Sequence, residues 1–129
     1  MRALDTNVVV RFLTGDDRRQ ATRARAAIER GEVFIATTVF LESEWVLRSA
    51  YGFLPGRIAE AFRGLAGLPG VSVDDPAPLA QALDSMTAGM DFADALHLAK
   101  ADGCTAFLSF DRRLAKLAAG LATLAVEAP

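Results

Sequence analysis

An α/β fold with a mainly parallel central sheet, covered by helices on both faces as a three-layer α/β/α sandwich, follows from three features of the sequence. Short apolar strands alternate with longer helical stretches, the pattern of βα units. Glycine or proline stands where nearly every periodic stretch should end. No internal repeat, low-complexity tract or linker interrupts the 129 residues, a length that suits one domain with a core and leaves no room for a second.

The elements are expected in this order. Residues 2–5 form a strand that runs into a helix from Thr6 to Leu13, closed by Gly15. An Arg- and Ala-rich helix from Arg18 to Arg30 stops at Gly31. Val33-Phe34-Ile35-Ala36 reads as a strand, and Thr37 or Thr38 should cap the helix that continues to Tyr51, before Gly52 and Pro55. A helix from Gly56 to Leu68, a strand at Val71-Ser72-Val73 and a helix starting between Asp74 and Pro78 and ending near Gly89 come next. A helix from Asp91 to Ala101 ends at Gly103. The chain closes with a strand from Thr105 to Phe110, a helix from Asp111 to Ala119 and a strand near Leu121 to Val126.

Composition narrows the function classes. The chain is 52% hydrophobic and 23% charged, with a mean hydropathy of +0.25. That apolar excess points to buried faces, including subunit or partner interfaces. No apolar run approaches the ~20 residues that span a bilayer. Met1-Arg2-Ala3-Leu4-Asp5 lacks a secretory h-region. Cys104 is the only cysteine, which rules out an internal disulfide and suits a reducing cytoplasm. One histidine and one cysteine also cannot supply the four N/S ligands of a structural zinc site. A net charge of −2 argues against non-specific coating of nucleic acid, although Arg18, Arg19, Arg23, Arg25, Arg112 and Arg113 could make local basic faces or simply solvated ones.

Four acids carry the chemistry. In such sheets the ligand site lies beyond the carboxyl ends of the strands, and Asp5 and Asp111 both follow expected strands. Each suits two roles, helix N-cap or site carboxylate, and Thr6 adds a hydroxyl beside Asp5. Glu42 has Val39, Trp45 and Val46 as helical neighbours, so it is expected against an inward apolar face, where an acid needs a partner. Glu44 is expected to point to solvent and pair with Arg48 at i+4. Asp91 and Asp94 share a face of a helix that is apolar nearly all round, and on such a helix two acids plausibly line a cleft. His97, the only histidine, reads as a core or interface residue rather than a base. Neither a G-x-S-x-G elbow nor a Gly-rich phosphate loop is present.

Leu4-Asp5-Thr6-Asn7-Val8, Leu41-Glu42-Ser43-Glu44-Trp45-Val46-Leu47, Asp91-Phe92-Ala93-Asp94-Ala95-Leu96-His97-Leu98-Ala99 and Leu108-Ser109-Phe110-Asp111-Arg112-Arg113 resemble, in that order and over nearly the whole chain, the PIN-domain family. Within it, the chain looks like the VapC toxins of bacterial type II toxin–antitoxin pairs. The resemblance implies a PIN fold and an Mg²⁺- or Mn²⁺-dependent endoribonuclease. Asp5, Glu42, Asp94 and Asp111 would be its acidic quartet, with Thr6, Asp91 and Ser109 in support; many relatives have Thr at the position of Ser109. It also implies a homodimer and a small antitoxin that blocks the active-site groove.

The expected reaction is hydrolysis of an RNA phosphodiester by metal-activated water. Asp5, Asp94 and Asp111 would hold the ion, with Glu42 completing the set directly or through water. Arg112 and Arg18 are candidate contacts to the RNA backbone. Two other classes fit parts of the pattern. One is a phosphotransferase or phosphatase with Asp5 as covalent nucleophile, although Asn7 stands where a second Asp would be expected. The other is a receiver-like or interaction domain that binds Mg²⁺ structurally.

Overall fold

The computed structural model describes residues 1–121 and 124–129. The chain packs as two units, Met1–Pro76 and Ala77–Pro129. All strands pair in parallel, and the class is the α/β one that the sequence predicts. Hydrogen bonding distributes the strands over two sheets, one of three strands and one of two.

The first unit holds β1 (Arg2–Ala3), α1 (Thr6–Thr14), α2 (Arg18–Glu29), β2 (Val33–Ile35), α3 (Thr37–Tyr51), α4 (Pro55–Ala66) and β3 (Val71–Val73). Strand β2 is central: Arg2 pairs with Val33 on one side, and Val33 with Val71 on the other. Val33 and Ile35 are fully buried, as expected of a strand flanked by parallel neighbours. Two aromatic rings join α3 to α4, with Phe40 and Phe62 edge to face at 5.0 Å, a geometry that the ring quadrupoles favour.

Close backbone approach and long-range capping set where these elements begin and end. Gly70 has φ +78, and a Cβ there would meet the Gly31 Cα at 2.9 Å, so only glycine allows β3 to enter beside β2. Helix α3 stops at Gly52, whose left-handed φ of 69 brings its N–H to the Leu47 carbonyl. The start of α3 differs from expectation. Ala36 is its N-cap and makes no side-chain bond, and Thr38 is exposed. The Thr37 N–H donates instead to Asp74 Oδ1 at 2.8 Å, so an acid 37 residues away does what a local threonine was expected to do.

A polar cluster ties the far ends of α1 and α3. Arg11 donates to Gln20 at 2.7 Å, to Asp16 at 3.0 Å and to the Tyr51 hydroxyl at 3.1 Å. The Tyr51 hydroxyl donates in turn to Asp16. That bond, opposed by burial and helped by Thr14 and Arg11, holds the Asp16 carboxyl below the ordinary carboxylate range.

The second unit holds α5 (Pro76–Thr87), α6 (Phe92–Lys100), β4 (Phe107–Leu108), α7 (Arg112–Leu121) and β5 (Val126–Glu127). Leu79, Leu83, Met86 and Met90 are buried, as are Phe92, Ala95, Leu96, Leu98 and Ala99 of α6. Strand β4 is shorter than the expected 105–110, because pairing with β5 covers only Phe107 and Leu108. Ala122 and Thr123 of the last expected strand lie outside the described residues. Among the described residues, no helix is long and apolar enough to cross a membrane.

If Asp74 caps α3, Asp74→Ala should cost about 1 kcal/mol, whereas Thr38→Ala should change stability by less than ~0.5 kcal/mol. Denaturant titration of the two variants tests this; the reverse ranking would restore a local threonine cap.

Candidate active site

Asp5 is placed by the switch from strand to helix. The Leu4 N–H still donates to the Phe34 carbonyl at 2.9 Å, and one residue later the backbone is extended, with φ −84 and ψ 161, as the N-cap of α1. Asp5 Oδ1 accepts the Thr6 N–H at 2.8 Å, while the side chain is exposed and Thr6 is buried. The carboxylate thus has one oxygen tied to its own helix and one available. Cap and site role, posed as alternatives by the sequence, are compatible here.

Glu42 and Glu44 exchange the environments expected of them. Glu42 is exposed and Trp45 is 60% exposed, while Glu44 is only 3% exposed. The buried stripe of α3 is Phe40, Ser43, Glu44 and Leu47, spaced i, i+3, i+4, i+7. Fully buried Phe40 and Leu47 set that face, and they turn Glu42 to solvent. The expected pair with Arg48 forms, at 2.8 Å, but it neutralises a buried acid rather than decorating a surface. The Ser43 hydroxyl on the same stripe is buried without a hydrogen-bond partner.

In the second unit the structure brings Asp91 and Asp111 within electrostatic reach of Asp94. Asp91 is the N-cap of α6, and its Oδ2 accepts the Asp94 N–H at 3.2 Å. Asp94 is half-buried. Burial, then repulsion from Asp91 and from Asp111, pushes its carboxyl above the usual carboxylate range, and His97 opposes this. Asp111 caps α7 by accepting the Leu114 N–H at 3.0 Å, and its own N–H donates to the Ser109 hydroxyl at 3.0 Å. Ser109 therefore acts on the backbone of Asp111, not on its carboxylate. His97, expected in a core or interface, is exposed one turn after Asp94, because the apolar stripe of α6 runs through Phe92, Ala95, Leu96 and Ala99 and leaves position 97 outside it. Arg18 and Arg112 are both exposed.

These oxygen donors fit a hard divalent cation. A crowded, partly desolvated carboxylate like Asp94 gains most from an added positive charge. Among the described residues, no group of three or more His, Cys, Asp or Glu side chains is gathered closely enough to hold a metal ion. That is no obstacle for Mg²⁺, which keeps several waters and is commonly held by one or two carboxylates.

Asn7 lines a groove with Arg11, Gln20 and Arg23. The i, i+3, i+4, i+7 series Gln20, Arg23, Ala24, Ala27 on α2 was the signal for that face.

The crowding of Asp94 has a measurable consequence. Its raised folded-state pKa means that its contribution to stability is fully present below the unfolded value of about 3.9 and is lost as pH rises through the folded value. Asp94→Asn should therefore raise the thermal midpoint at pH 7 in EDTA, and the two proteins should converge below about pH 4. Added Mg²⁺ should narrow the gap by stabilising the unsubstituted protein. A variant less stable at pH 7 would contradict the crowding.

No curated protein and no solved structure matches the chain. The sequence pattern of the PIN domain matches residues 2–120, which takes in Asp5, Glu42, Asp94 and Asp111 together. The chain belongs to the PIN domain family, whose members are generally metal-dependent nucleases.

Proposed function

We propose that this protein is an endoribonuclease that depends on Mg²⁺ or Mn²⁺ and serves as the VapC-like toxin of a toxin–antitoxin pair. The observation that carries the reading is Asp94, a half-buried carboxylate crowded by two others in a chain that belongs to a nuclease family. Such crowding is costly without a cation and useful with one.

Asp94 and Asp111 are assigned as carboxylates that would hold the cation directly, and Asp5 and Glu42 as acids that would complete the set directly or through its retained waters. When bound, the divalent cation lowers the pKa of the attacking water and stabilises the charge that develops on the leaving oxygen. The exposed Glu42 carboxylate orients that water by accepting its proton in a hydrogen bond. Thr6 contributes a hydroxyl beside Asp5. Asp91 holds the first turn of α6, and with it Asp94, through the Asp94 N–H. Ser109 does the same for Asp111 through its backbone. Arg18 and Arg112 are assigned to RNA phosphates, which they reach as exposed guanidiniums.

The partners follow the same reading: RNA as substrate, a small antitoxin protein and a second copy of the chain, in a reducing cytoplasm. Apolar side chains in water support a partner, with Trp45 60%, Leu54 74%, Leu108 61% and Phe110 85% exposed.

Purified protein, free of antitoxin, should cut total cellular RNA into discrete fragments with Mg²⁺ or Mn²⁺ and not with EDTA. Asp5→Asn and Asp94→Asn should each reduce cleavage by about 10²-fold or more while circular dichroism shows a folded protein. Cleavage that persists in EDTA or in either variant would refute the assignment.

A further inference from the structure

Helices α1 and α2 enclose a groove of about 520 Å³ that the proposed acidic site does not use. Its polar lining is Asn7, Arg11, Gln20 and Arg23, and Ala24 and Ala27 leave its floor low. No acid lines it, so two guanidiniums face one space in a chain of net charge −2. The two are not equivalent. Arg11 is committed to Gln20, Asp16 and Tyr51, which fixes it as a wall. Arg23 is exposed and, among the described residues, has no hydrogen bond, ion pair or ring contact. Asn7 is likewise exposed with its amide uncommitted, and it lies two residues after Asp5 in the first turn of α1. The groove's lining therefore begins two residues along the chain from one of the proposed metal-holding carboxylates.

We propose that this groove seats the RNA strand next to the scissile bond, with Arg23 holding a backbone phosphate and Asn7 a neighbouring sugar or base edge. The inference rests on the nuclease reading above and names the positioning residues of that same site. A guanidinium fork matches two phosphate oxygens at once. Uncommitted in the free protein, Arg23 gives up no internal partner to do so. Arg11, already oriented and paired with Asp16, shapes the wall without reaching out. The alanines of α2 leave room for the sugar–phosphate chain where larger side chains would fill the groove. On the nuclease reading an RNA strand suits this groove better than an acidic peptide, because an uncommitted guanidinium fork faces it beside an amide that can meet a sugar or base edge.

The test uses the full chain carrying Asp111→Asn to prevent cleavage, with a fluorescein-labelled, mixed-sequence single-stranded RNA whose anisotropy is followed across a KCl series. Arg23→Ala should weaken binding about tenfold and flatten the log–log salt slope by ~0.7, the value of one phosphate on a single strand. Arg23→Lys should restore the slope but only part of the affinity, because lysine is a point charge without the fork. Arg30→Ala, on an exposed arginine outside the groove, should leave both unchanged. RNA binding with an unaltered slope in Arg23→Ala would overturn the groove proposal and leave the nuclease reading standing. Loss of poly-glutamate binding without change in RNA binding would also overturn it, by assigning the groove to a protein partner. No RNA binding by the parent, together with no metal-dependent cleavage by the unsubstituted chain, would overturn both.

Discussion

The first turn of a helix leaves backbone N–H groups that no carbonyl of that helix can reach, and something must accept them. In this protein the acceptors at α1, α2, α6 and α7 are all aspartates: Asp5, Asp17, Asp91 and Asp111. A helix start is also electropositive, so it attracts a carboxylate and aims it along a defined direction. In a chain whose strands are two or three residues long, helix starts are the rigid points from which side chains can be placed. The same bonds that finish the helices therefore fix the acids. Each cap uses one carboxylate oxygen and leaves the other available.

Asp94 lacks that arrangement. Among the described residues no N–H reaches its carboxylate; its own N–H is given to Asp91, and its carboxylate lies half-buried among like charges. The capped acids are stabilised by the fold, whereas Asp94 is held at a disadvantage by it. Of the carboxylates assigned to the proposed site, Asp5 and Asp111 double as caps, while Asp94 is the one whose burial and crowding a cation would relieve. Glu42 shows the opposite solution: it faces water, while Glu44 takes the buried place and relies on Arg48. Two glutamates two residues apart thus differ entirely in what they can do.

Local features of the sequence were legible and distant ones were not. Helix starts at Asp5, Asp91 and Asp111 and the stop at Gly52 could be read, because a cap depends on residues within one turn. The tie from Asp74 to Thr37 could not, since its partners are brought together only by the pairing of β2 with β3. The exchange of Glu42 and Glu44 has a similar origin. Both possible faces of α3 carry apolar residues, and only packing decides that Phe40 and Leu47, rather than Val39 and Val46, are fully covered. For His97 the apolar stripe of α6 rules out the core, since it leaves that position exposed. Among the proposed site residues, identities could be read from motifs, while burial and committed bonds needed the fold.

The double use proposed for the capping aspartates bears on how such an activity is lost over time. Asparagine caps a helix about as well as aspartate does, so exchanging carboxylate for carboxamide at Asp5 or Asp111 leaves the helix start intact. Selection for a folded chain does not protect the charge. Descendants can then drift into silent copies that still fold and still present the same surfaces. In such a lineage, persistence of the architecture says little about persistence of the chemistry.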